Sequence, residues 1–227
     1  MTSPTIHSPC REQGTALIAV LMVITLLVAL SAAVVLVTTM ESRAAGNHEA
    51  AQSALYAADG ALEQTVSELR AADWRIVPGN LVSGHLRNVE APPRAPDGSI
   101  LDFARLTTSR QAESDVVFAP SSNRPRWHLF GHAPFSALVP SGVVMPPIYL
   151  LVWMADDGDE SDGDPERDSN DVVLVRAEAL AASGARRSIE ATLSRETGPT
   201  PGSAEPAGAP PPVLRQEVRI LSWREVR

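Results

Sequence analysis

The stretch from Thr15 to Met40, TALIAVLMVITLLVALSAAVVLVTTM, constrains this chain more than any other. It runs for twenty-six residues without a charge, a proline or a glycine. At about 1.5 Å per residue a helix of that length measures roughly 39 Å, more than a hydrocarbon core of about 30 Å. A lone segment satisfies its own backbone in lipid only as a helix, so residues 15–40 are expected to form a single transmembrane helix. The run is about twice as long as the 7–15-residue core of a secretory signal peptide. It also continues into a helical pattern, and both features predict a retained anchor. Residues 1–14 form a short polar leader, with Arg11, Glu12 and the free amino terminus giving about +1. Six acidic residues and three arginines occupy Glu41 to Arg75, a weak charge bias that favours a cytoplasmic N-terminus and an exported bulk.

Beyond Met40 the pattern becomes amphipathic. Ala51, Leu55, Ala58, Leu62, Val66 and Leu69 recur in steps of three and four, while Gln52, Asp59, Glu63 and Arg70 fall largely off that stripe. Residues 41–75 are thus expected to extend the same helix, with Gly46-Asn47 and Gly60 as weak points where it would bend or loosen. A folded domain laid against the stripe would bury it. Residues 76–197 read as that domain, an extracytoplasmic β-rich head. Leu101 to Thr107, Asp115 to Ala119 and Arg126 to Phe130 read as strands between turn-rich segments. Ile148 to Met154, Asp171 to Leu180 and Ser188 to Arg195 form a clearer antiparallel group, the last two joined by a hairpin at Ala182 to Ala185. Ile189, Ala191 and Leu193 alternate with Glu190, Thr192 and Ser194, which predicts a wet face opposite the long helix. The aromatic residues Trp127, Phe130, Phe135, Tyr149 and Trp153 are expected to fill the core between sheet and helix. Residues 198–212 are a Pro/Gly/Ala linker, and residues 213–227 read either as a strand or as a short amphipathic helix. The fold class expected is α+β, a long N-terminal transmembrane and amphipathic helix packed on an antiparallel β-sheet.

The formal net charge of −8 is local. Asp156 to Asp171 contains nine acidic side chains against Arg167 alone, which is −8 by itself, so the rest of the chain is near neutral. Without a basic face, nucleic acid is not an expected partner. The single cysteine, Cys10, lies in the leader, which excludes an intramolecular disulfide and a cysteine-based metal site in the head. The acidic loop is the one candidate ligand cluster, comprising Asp156, Asp157, Asp159, Glu160, Asp162, Asp164, Glu166, Asp168, Asn170 and Asp171. Carboxylates alternating around Gly158 and Gly163 suit Ca²⁺, which takes six to eight oxygens. The residues named as calcium ligands are Asp157, Asp159, Asp162, Asp164, Asp168 and Asn170. The spacing departs from an EF-hand, because a loop starting at Asp157 has Asp162 rather than Gly at its sixth position and no Glu at its twelfth. The alternative is a solvated acidic hairpin loop. No catalytic signature is found. There is no nucleophile elbow, no H-E-x-x-H and no glycine-rich phosphate loop, and Gly131 and Pro134 argue against pairing His128 with His132 on a helix. An enzyme is not expected.

Gln13-Gly14 directly before the apolar helix, Met40-Glu41 through Ala45-Gly46-Asn47, and AAQSALYAADGAL together resemble the N-terminal region of type IV pilins, specifically the PilX-type minor pilins. The resemblance covers roughly residues 11 to 75, with Asp59-Gly60 standing where the family usually has Glu-Ala. The acidic segment and the strand after it are similar to a segment of some PilX-like proteins, a weaker match. The resemblance implies that a prepilin peptidase cuts between Gly14 and Thr15 and releases the leader. Two positions depart from the pattern of major pilins, Thr15 in place of Phe at the first mature position and Ala19 in place of Glu at the fifth. In a filament that Glu meets the terminal ammonium of a neighbouring subunit at low dielectric. With Ala19 the contact is lost, which suits a tip position or a priming complex. The function so implied is that of a minor pilin, in the inner membrane with a cytoplasmic N-terminus and then in the pulled-out pilus. Its partners would be other minor pilins, the major pilin, the prepilin peptidase and the inner-membrane assembly machinery. Two alternatives stay open: a type II secretion pseudopilin, and a membrane-anchored periplasmic module that binds with the help of calcium.

Overall fold

The computed structural model describes residues 12–72, 81–88, 92–119, 123–140, 142–160, 162–198 and 215–226. Residues 1–11 and 199–214 lie outside them, and with them most of the leader and of the linker. Helix α1, Glu12–Leu69, is a continuous 58-residue α-helix, and Gly46 and Gly60 lie inside it without ending it. It ends at Leu69, six residues short of the expected boundary at residue 75. Ala71 and Ala72 close tighter turns onto the carbonyls of Glu68 and Leu69 at 3.1 and 3.3 Å.

The chain divides into two units, residues 1–48 and 49–227. In the first, α1 is apolar and exposed on every side. Leu17, Ile24, Leu27, Val35 and Leu36 are each at least half exposed, and the apolar window has a mean hydropathy of 3.0. The helix is long and apolar enough to cross a membrane. Its few hydroxyls are absorbed by its own backbone. Thr25 Oγ1 donates to the Met22 carbonyl at 2.9 Å, Ser31 Oγ to Leu27 at 2.8 Å and Thr38 Oγ1 to Val34 at 3.0 Å. Such back-bonding satisfies these hydroxyls where water is absent.

In the second unit the amphipathic part of α1 buries Ala54, Ala57, Ala58, Ala61, Leu62, Thr65, Val66 and Leu69. The stripe expected from the sequence is there, widened by alanines small enough to let the helix approach its sheet. That sheet has five antiparallel strands in the order in which the chain makes them. They are β1 His128–Pro134, β2 Ile148–Asp156, β3 Val172–Ala181, β4 Arg186–Gly198 and β5 Arg215–Val226. The expected meander is β2-β3-β4, with Leu180 opposite Arg186 at the predicted hairpin. Residues 215–226 resolve the open choice at the C-terminus as a strand, paired to β4 from Ser188↔Val226 to Gly198↔Arg215. The head therefore extends beyond residue 197.

Several expectations are corrected. Leu101 to Thr107 and Asp115 to Ala119 are not strands, because helix α2, Phe103–Val117, takes up most of both. Asp102 caps it, its side chain accepting from the Arg105 N–H at 3.0 Å. The strand expected from Arg126 instead begins at His128. The sheet face away from α1 is also not simply wet. Trp127, Tyr149, Leu151, Trp153, Ala155 and Leu174 form a second buried cluster there, against which Phe103 and Leu106 of α2 pack. Trp153 Nε1 donates to Thr107 Oγ1 of α2 at 3.0 Å. Of the five aromatic residues assigned to the helix–sheet core, only Phe130 and Phe135 join it. Glu190, Thr192 and Ser194 are half-buried.

Candidate functional site

The positions implied in processing lie near the start of α1. Gly14 and Thr15 are within the helix, and Ala19 is exposed one turn further on. The side chain at 19 offers no carboxylate.

The acidic loop connects β2 to β3. All nine residues of β2 are buried, and the last of them is Asp156, paired with Val173. The strand thus carries a carboxylate into the protein with no exposure. Asn123, from the segment before β1, reaches it: its Nδ2 donates to Asp156 Oδ2 at 2.9 Å and to the Asp157 carbonyl at 3.1 Å. The loop then folds back on itself. Glu160 turns inward, and its carboxylate accepts from the Ser169 and Asn170 backbone N–H groups, each at 2.8 Å, and from Ser169 Oγ at 2.8 Å. Asp168 Oδ1 accepts from the N–H groups of Asn170 at 3.2 Å and Val172 at 3.3 Å. One carboxylate oxygen from each of Asp156, Glu160 and Asp168 lies within 4.8 Å of the other two, and all three residues are buried.

Of the residues named from the sequence, Asp168 is in this trio. Asp157 and Asn170 adjoin it, tied together by Asn170 Nδ2 donating to Asp157 Oδ1 at 3.0 Å. Asp159, Asp162 and Asp164 are not in it. Asp162 and Asp164 instead accept from backbone N–H groups two residues on, Asp164 and Glu166, in local turns. Asp156 and Glu160, counted among the acidic residues of the loop but not among the named ligands, are the two the sequence reading missed. For Asp156 a signal existed, since it directly extends the apolar run Ile148–Ala155. For Glu160 none did, because its inward turn depends on Ser169 and Asn170.

Burial raises the pKa of Asp156, Asp157 and Asp168. Asp156 is pushed up to about 7, by desolvation first and then by the charges of Glu160, Asp157 and Asp168, against the opposing hydrogen bond from Asn123. Asp168 is pushed up to about 6 by desolvation, opposed by its bonds to Val172 and Asn170. Asp157 is raised by the same cause. On the rim, Arg126 Nη1 and His128 Nε2 both meet Glu166 at 3.1 Å, and Arg195 pairs with Asp171. His132 meets the Tyr149 hydroxyl at 2.9 Å, not His128. Chemically, the loop offers a buried set of hard oxygen donors.

No protein-family model, curated protein or solved structure matches the chain.

Proposed function

We propose that this chain is a minor pilin of a type IV pilus, acting in pilus priming or assembly with other minor pilins. The observation that carries the reading is α1. One uninterrupted helix joins an exposed, uncharged segment to a segment whose buried stripe seats an antiparallel sheet. A subunit of this kind is held in the membrane by its apolar segment until it is drawn into a filament, where the same segment packs among others. The head then meets neighbouring subunits at the filament surface. Ala19 supports a tip or priming position, because a subunit without the carboxylate has lost one charge contact to a neighbouring terminus. The work assigned to the protein is assembly, not catalysis. The N-terminus is assigned to the cytoplasm, and the prepilin peptidase and the inner-membrane assembly machinery are the partners it meets first.

Fractionation tests this reading. In cells with an active prepilin peptidase, surface filaments removed by shearing should contain the head by immunoblot. In peptidase-deficient cells the protein should stay in the inner membrane. Processed protein that never reaches sheared filaments would favour a type II secretion pseudopilin. Protein that stays in the membrane unprocessed in both strains would favour an anchored binding module.

A further inference from the structure

We propose that Asp156, Glu160 and Asp168 hold a calcium ion in the base of the β2–β3 loop. The site lies in the head and stands independently of the pilin reading. Clustered acids alone do not make a site, and two further oxygens decide the matter. Asp156 Oδ1 and Asp168 Oδ2 are buried and have no hydrogen-bond partner among the described residues. Their residues are 0% and 3% exposed. Neither residue makes an ion pair among the described residues, and Arg126, His128 and Arg195 are engaged by Glu166 and Asp171 instead. A buried carboxylate oxygen without donor or counter-charge is costly, and the two residues that carry such oxygens here are grouped with Glu160 in one trio. A bound cation would satisfy both oxygens and offset the negative charge of the trio.

The donor chemistry selects the ion. All the donors are oxygens, and among the described residues no histidine or cysteine belongs to the trio, so a soft or borderline metal is disfavoured. Oxygens at 2.3–2.6 Å from one calcium lie at most about 5 Å apart, and the trio satisfies that limit. Magnesium keeps several waters and uses one or two carboxylates. Three buried carboxylates suit calcium better. The placement also gives the ion a role. Asp156 ends β2 and Asp168 bonds the first N–H of β3, so one ion would tie both ends of a loop whose outer carboxylates, Asp162 and Asp164, only shape turns.

The test uses the full chain in detergent, stripped with a chelator and titrated with CaCl₂ by calorimetry and thermal unfolding. One calcium per chain should bind, and the unfolding midpoint should rise, whereas MgCl₂ at the same concentration should do neither. Asp168→Asn and Asp156→Asn should each lower calcium affinity at least tenfold while the far-UV circular dichroism of the apo protein is unchanged. The double variant Asp162→Asn/Asp164→Asn should bind within twofold of the wild type. Absence of calcium binding by the wild type would overturn the site. So would an equal response to magnesium, or a loss in the Asp162/Asp164 variant matching that of Asp168→Asn.

Discussion

A Cβ placed on Gly131 would come within 2.7 Å of Leu86 Cβ, 2.8 Å of Ser83 Cβ and 2.9 Å of the Leu86 carbonyl oxygen. The segment carrying Ser83 and Leu86 lies directly on β1, with the Ser83 N–H donating to the Phe130 carbonyl and the His132 N–H to the Leu86 carbonyl, each at 2.8 Å. Gly131 follows a bulge at Phe130, which puts Phe130 into the helix-side core and leaves no room for a side chain after it. Gly131→Ala should destabilise the head by about 1–3 kcal/mol, read by thermal or denaturant unfolding; an unchanged midpoint would contradict the packing described. Glu178 makes a second residue-scale claim. It is buried in β3 between Arg110 Nη2 at 3.1 Å and Arg186 Nε at 2.5 Å, with Ser188 Oγ donating at 3.3 Å. Burial outweighs these partners and pushes its pKa up to about 6, above the ordinary 4.5. A carboxyl raised in the folded state binds its proton more tightly there than in the unfolded chain. Its contribution is therefore fully present below about pH 4.5 and lost as pH rises through about 6. Between those limits the difference in stability between wild type and Glu178→Gln should change by on the order of 2 kcal/mol. A difference that stays flat with pH would rule the claim out.

At the scale of elements, α1 carries the most pattern in its sequence. Its apolar run sets one half and its three-and-four stripe the other, and both are in the structure. Leu62 is wholly buried in that stripe, while Tyr56 on the same helix is 70% exposed. Leu62→Ala should cost about 2–5 kcal/mol, and Tyr56→Ala should stay within about 0.5 kcal/mol. Equal effects in unfolding experiments would contradict the orientation of α1 on the sheet. Helix α2 was hidden for a physical reason. Leu101 and Phe103 flank the polar Asp102 as they would in a strand, and the helical face Phe103-Leu106-Arg110-Ser114 ends in polar residues that a hydropathy pattern counts as exposed. Arg110 is buried because Glu113 and Glu178 pair with it, a compensation that only the fold assembles. Asp102 as a helix N-cap was the local signal available. The strands β2, β3 and β4 were legible because their runs are long and turn-bounded. The carboxylate trio was not, since its members are gathered by Asn123 and by the Ser169-Asn170 turn rather than by spacing.

Across the whole molecule, two chemistries are kept apart along the chain. Residues 15–40 carry an exposed apolar helix surface, and the head carries a net charge of −8 in a single loop. The first suits an apolar environment, and the second suits water and, in the calcium proposal, a hard cation. The minor-pilin reading joins them through one event, removal of the leader at the boundary of the apolar run. Direct determination of the amino-terminal sequence of the protein from cells with and without active prepilin peptidase tests that event. The account predicts a chain starting at Thr15 in the first case and an intact leader in the second. A chain that keeps its leader in both, or one cut beyond Met40, would contradict it.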